Sequence, residues 1–264
     1  DRPLWEQYFI YISGVVRGDL GISTMTGAPV VEDLARRIPA TFGLITVTLL
    51  VSGALTLLLT WIMIAWPKNI VGRFVKGYTV FGAALPDFWT ALCLSFIFYF
   101  TLGIAPAPSG QIDSSYGIPY VTNFGLLDAM IAGRPDAVMN ALAHLALPVS
   151  TLVIINAASM TRLTAASAMV ALEQDHIRFA TALGVPRRKV DWYVVRSALP
   201  TFVSTSSLVY AGSLGGAVII ETIFGWAGLG QYGVDAILRS DYAALQGFVI
   251  VAGVFTALVY ALVE

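Results

Sequence analysis

Five stretches of this sequence, 40–66, 78–104, 141–159, 200–220 and 243–263, run almost without charge. Each has about the 20 residues that an α-helix rising 1.5 Å per residue needs to cross a bilayer. A backbone in lipid must satisfy its own hydrogen bonds, so the stretches read as helices. Only 12% of the 264 residues are charged, against about 25% in an ordinary soluble domain. The expectation is therefore an all-α membrane protein, a polytopic helical bundle with five spans. Pro86 and Pro148 fall inside two spans, which membrane helices tolerate because neighbours take up the freed carbonyls. A net charge of −1 offers nothing to nucleic acid, and the lone Cys93, inside an apolar run, leaves no disulfide framework.

The segment before the first span differs. Residues 1–39 mix Trp5, Tyr8, Phe9 and Tyr11 with charges and read as an extracytoplasmic segment lying at the membrane interface. Residues 40–264 form the transmembrane domain. Its orientation follows from the basic residues: loops 67–77 and 162–199 hold nine of the 15 Lys and Arg, whereas loops 105–140 and 221–242 hold only Arg134 and Arg239. The rule that basic loops stay inside makes 165–199 cytoplasmic and 105–140 and 221–242 extracytoplasmic in a multi-pass protein of the cell membrane. The sequence opens at Asp1 and ends in mid-run at "ALVYALVE". It is expected to belong to a longer protein with one more span before Asp1.

The cytoplasmic stretch "EQDHIRFATALGVPRRKVDWYVVRSALP" (173–200) carries eight of the 31 formally charged residues. At helical spacing Met169, Leu172, His176, Phe179 and Leu183 share one face. Gly184 can end that helix in a left-handed conformation, and Pro186 can open a second over about 187–198. A bent helix–glycine–helix hairpin with an apolar face suits a docking surface for a soluble partner better than a passive loop.

This hairpin resembles the cytoplasmic "EAA loop" of ABC-importer permeases, by which a permease couples to its ATPase. Gly184, the basic run Arg187-Arg188-Lys189 and the later Leu199-Pro200 match. Where the general pattern has Glu-Ala-Ala this chain has Arg178-Phe179-Ala180, and "DHIRFATALG" is closer to the peptide-permease form. "RGDLGISTMTGAPVVEDLARRIPAT" (17–41) and "GGAVIIETIFGWAGLGQYGVDAILRSDYAALQG" (215–247) are similar to further segments of dipeptide/oligopeptide (and nickel) permeases, in their first-permease (B-type) branch. The resemblance implies the type I ABC-importer permease fold. It places ATPase coupling on Asp175, Arg178, Phe179, Ala180, Ala182, Gly184, Pro186, Arg187 and Arg188. The partners it implies are a second permease, two ATPase subunits or a fused one, an extracytoplasmic substrate-binding protein, membrane lipid and a peptide substrate. Nickel chelate or glutathione is the alternative cargo.

No chemistry of its own is apparent. A phosphate-binding loop needs Gly-Lys-Ser/Thr, and no lysine here follows a glycine, so ATP and Mg belong on partner ATPases and the chain carries no cofactor, metal or catalytic residue. His144 reads as a hydrogen-bonded interface histidine. Asp87, Asn156 and Arg162 are the intramembrane polar candidates for the translocation path, with Arg162 also suited to anchor the inner end of its span. Gly212, Gly215 and Gly216 allow backbone-close helix packing. Phe224 and Trp226 sit where an aromatic belt would lie, and Gly225, Gly228 and Gly230 permit a turn back toward the membrane. A secondary transporter is the rival class, but it tends to show inverted repeats and several midplane carboxylates; here Asp87 stands alone and no repeat is visible.

Overall fold

The computed structural model describes residues 3–263. The described residues are helical apart from turns and connecting loops, with no strand. The first helix, α1, is Leu4–Val16. It exposes Trp5, Tyr8 and Phe9 together.

Two long helices form the frame: α2, Val30–Ala65, and, later in the chain, α6, Pro135–Ala171. At 36 and 37 residues each reaches about 54–56 Å, well beyond a hydrocarbon core of about 30 Å. Both therefore outrun the expected spans 40–66 and 141–159, because polar and charged turns such as Glu32–Arg37 and Arg162–Ser167 carry the helix on past the apolar stretch. They share the most extensive helix–helix contact among the described residues. Both carry small buried side chains: Thr48, Ser52, Thr56 and Thr60 on α2 and Ala157, Thr161, Thr164 and Ala168 on α6. Small residues let membrane helices approach closely.

Between them the chain does not cross as one rod. Helix α3, Ile70–Phe81, passes through a short 3₁₀ turn, Gly82–Ala84. Helix α4, Asp87–Leu94, then starts in a new direction and continues as a π-helix over Ser95–Thr101. The two halves are bent by 110°. The expected continuous span 78–104 is corrected here. Leu85 (φ −72°, ψ 131°) and Pro86 (φ −69°, ψ 137°) are both extended. Proline lacks the N–H for the helical ladder and forces the residue before it out of the helical region. The result is a full break where a tolerated kink was expected.

A loop with the short helix α5, Gly125–Ile131, leads into α6, which opens with Pro135 in its first turn. Two helices, α7 (Asp175–Ala182) and α8 (Arg187–Ser197), fold back at the end of α6. Then α9, Leu199–Phe224, returns through the bundle, α10, Leu229–Leu238, turns in, and α11, Tyr242–Val263, makes the last crossing. Among the described residues four helices are long and apolar enough to cross a membrane, and five spans result if the bent pair counts as one. The core falls into successive clusters: Ile64, Ile177, Val190 and Val194 at the hairpin end, Leu44, Leu152 and Trp226 in another, and Val30, Leu34, Leu229 and Tyr232 at the α10 end.

Candidate functional site

The hairpin is built by local rules. Gln174 is extended and α7 starts at Asp175, whose carboxylate suits a helix N-terminus. Gly184 has φ +75°. Its N–H donates to the Thr181 carbonyl at 3.0 Å, and that of Val185 donates to Ala180 at 3.2 Å. This pair of bonds is the Schellman closure. A Cβ at Gly184 would meet nothing within 4 Å, so the backbone angle alone asks for glycine. Pro186 then caps α8. Ile177, Val190, Val194 and Val195 are buried against Ile64, Ala168 and Ala171, which seats the hairpin on the ends of α2 and α6.

What faces outward is apolar and basic. Phe179 is 66% and Leu183 67% exposed, and Arg188 and Lys189 are exposed beside them in the hairpin. Arg178, Ala182 and Arg187 line a shallow cleft of about 400 Å³ between α7 and α8. Arg187 also pairs at 3.1 Å with the buried Asp191. The single face expected from Met169 to Leu183 is interrupted, because α6 ends at Ala171 and α7 begins afresh at Asp175. Ile177, not named in that face, is the α7 residue that packs inward.

The three polar path candidates lie apart. Asp87 is half-buried at the start of α4 and faces α9, where a Cβ on Gly216 would stand 3.4 Å from its carboxylate. Asn156 is half-buried on α6, and Arg162 is exposed toward the hairpin end of the same helix. A Cβ at Gly212 or Gly215 would meet no atom within 4 Å. The close packing expected of those two against a neighbouring helix is therefore not found among the described residues, and Gly216 packs against Asp87.

The opposite end holds polar residues that sequence reasoning did not single out. Glu221, near the end of α9, is fully buried. It accepts a hydrogen bond from the Thr41 hydroxyl and one from the Gln231 N–H at 3.0 Å, while Thr41 accepts from the Leu229 N–H at 2.7 Å. Glu221 and Thr41 thus satisfy the otherwise orphaned N–H groups that open α10. Gly228 and Gly230 make room, since a Cβ at Gly230 would fall 2.6 Å from the Val218 Cα and one at Gly228 would collide with Glu221 and Thr41. Trp226 is 1% exposed and donates to the Ala40 carbonyl at 3.0 Å. With Phe224 also buried, the expected aromatic belt is corrected to a core pair. The expected connection 221–242 joins α9 to α11 and is occupied largely by α10.

A second polar knot ties the approach to α2 to the start of α11. Asp241 accepts from the Ser23 hydroxyl at 2.6 Å and from the backbone of Met25 and Ala244 at 3.0 and 3.1 Å. Burial pushes its carboxyl up, and these donors outweigh that and leave it below the usual value. Thr26 and Tyr232 both donate to Asp33. Burial, with the charge of Asp33 adding to it, pushes the Tyr232 phenol up to about 12. Above this end lies a polar cavity of about 560 Å³ lined by Arg36, Gln111, Asp113, Tyr120 and Trp226 among others. The signals for these sites were faint: single carboxylates among apolar residues, with glycines seven and nine positions after Glu221.

A bent helical bundle carrying a glycine-closed hairpin on the ends of its two longest helices has the makings of a membrane transport component. Residues 57–264 match the family described as binding-protein-dependent transport system inner membrane component. The chain belongs to that family, and it is the inner-membrane permease subunit of an ABC importer. Over its whole length it is 35% identical to the probable D,D-dipeptide transport system permease protein DdpB of Escherichia coli K12, of which it covers 78%. It is 32% identical to the di/tripeptide permease protein DppB of Pseudomonas aeruginosa and to the dipeptide permease protein DppB of Escherichia coli K12, covering 79% of each.

Proposed function

We propose that this permease forms half of a translocation pathway for di- or oligopeptides and is driven through α7 and α8 by a separate ATPase. Its partners in this reading are a sister permease, two ATPase chains that bind ATP and Mg, and an external substrate-binding protein. The hairpin end faces the cytoplasm and the α10 end faces outward, in keeping with the skew of Lys and Arg between the loops. The observation that carries the reading is the Schellman-closed hairpin. It leaves Phe179 and Leu183 bare for a partner while burying Val190 and Val194 on the frame.

Movement of the ATPases would push on α7, and α8 would pass the push to α2 and α6 as a rigid body. That is how packed helices carry a two-state change. The peptide cargo is supported by the names of the relatives and by a path with few fixed charges. Two measurements test the proposal. Purification from membranes is expected to bring an ATPase with the permease. Gly184→Val, which places a β-branched residue at positive φ, is expected to leave membrane insertion intact and to abolish substrate-stimulated ATP hydrolysis. Normal stimulated hydrolysis in that variant defeats the hairpin reading. Uptake into vesicles of nickel chelate or glutathione, with no uptake of labelled peptide, defeats only the cargo.

A further inference from the structure

His144, on α6, looks at first like an ordinary buried histidine, with its side chain 1% exposed. Its Nδ1 lies 3.0 Å from the Asn140 carbonyl. A carbonyl only accepts, so Nδ1 carries a proton. Nε2 is buried without a hydrogen-bond partner and lies 3.5 Å from Oδ1 of Asp113. Turning the ring over would set two C–H groups against the two oxygens, so the orientation is fixed. In the neutral ring the Nε2 lone pair faces a carboxylate, which is repulsive. In the imidazolium Nδ1 still donates to Asn140 and the positive charge at Nε2 faces the Asp113 carboxylate at ion-pair distance. The expectation of a fully hydrogen-bonded histidine therefore holds for Nδ1 and fails for Nε2 unless a second proton is present.

Asp113 belongs to the loop before α5 and has no second anchor of equal strength on α6 beyond Asn140, which bonds its carboxylate at 2.6 Å and its N–H at 3.0 Å. The same loop residue lines the polar cavity with Arg36 and Trp226. The other groups around His144 are Pro106, Pro108, Gly110, Leu147 and Phe224, none of them charged. Asp113 is thus the charged group that faces it among the described residues.

We propose that His144 and Asp113 form a proton-operated clasp: protonation of His144 fastens the loop 105–124 to α6 and firms the rim of the cavity, and loss of that proton slackens it. Histidine is the side chain that changes charge between about pH 5 and 8, so the clasp would respond to the medium on that side. The proposal concerns the loop alone and does not depend on the cargo.

A nitroxide attached at Ser115→Cys, in a Cys93→Ala background and in the assembled complex, reports the loop's motion. The immobilised component is expected to dominate near pH 5 and to give way to a mobile one near pH 8. His144→Gln is expected to remove that pH dependence. Asp113→Asn, an exposed loop change that leaves α6 whole, should remove it too and hold the loop in its mobile form. A wild-type spectrum that does not change with pH, or an unchanged pH response in both variants, overturns the clasp.

Discussion

The two ends of this bundle are held by opposite means. At the hairpin end α7 and α8 rest on a small apolar footing, Ile177, Val190, Val194 and Val195, with most of their polar and aromatic surface turned outward. At the α10 end buried polar groups do the fastening: Glu221 with Thr41, Asp241 with Ser23, and Trp226 with the Ala40 carbonyl. An apolar footing is tolerant of sliding and tilting, whereas a satisfied hydrogen-bond network fixes one geometry and penalises others. The contrast suits a molecule that receives a push at one end and keeps a shaped surface at the other.

The sharpest way to break the contrast is to overpack the α10 end. Gly230→Ala sets a Cβ 2.6 Å from the Val218 Cα, and the backbones of α9 and α10 must part. A loss of about 1–3 kcal/mol is expected, read as a lower melting temperature of the purified complex, while Gly184→Ala at the other end should cost about 1 kcal/mol through its left-handed backbone alone and alter coupling. Thr41→Val is next. It removes the donor to Glu221 and the acceptor for the Leu229 N–H without changing shape, and about 1–3 kcal/mol is expected from the groups left unpaired. Melting of Thr41→Ser, which keeps the hydroxyl, should stay closer to the parent.

Asp241 gives a smaller effect with a definite sign. Its folded carboxyl lies below the usual value of 3.8, so its contribution is present above that value and is lost as pH falls through the folded one. The stability difference between the parent and Asp241→Asn is expected to be constant from neutral pH to about pH 5 and to shrink below about pH 4. A difference that grows on acidification contradicts the assignment. The least effect on stability belongs to Phe179→Ser, within about 0.5 kcal/mol because the ring is already exposed. Its consequence should be confined to recovery of the ATPase with the complex.

The apolar runs and the turn at Gly184 were legible because each depends on neighbours in sequence: a window of hydropathy, a glycine between two helix-forming segments, a proline after it. The break at Leu85–Pro86 was half legible, since the proline is plain but nothing local distinguishes a kink from a full turn of 110°. The Glu221–Thr41 link was not legible at all. Its partners are 180 positions apart, and a lone glutamate followed by glycines has no local signature. Trp226 misled for a related reason. An aromatic near the end of a span is the usual mark of an interface, and only the Ala40 carbonyl, distant in sequence, draws it into the core.

The bent pair has a consequence for the surrounding lipid. Neither half of the pair is long: α4 and its π extension have 8 and 7 residues, no more than about 22 Å of rod, against a hydrocarbon layer of about 30 Å. Beside it α3 turns away, with Ile70, Phe74 and Phe81 exposed. Acyl chains next to this flank must shorten their layer or be displaced by another protein surface, at a cost that rises by fractions of a kcal/mol per ångström. Neither rod matches such a layer by itself, so the thickness of the host membrane would act on the bend at Leu85–Pro86.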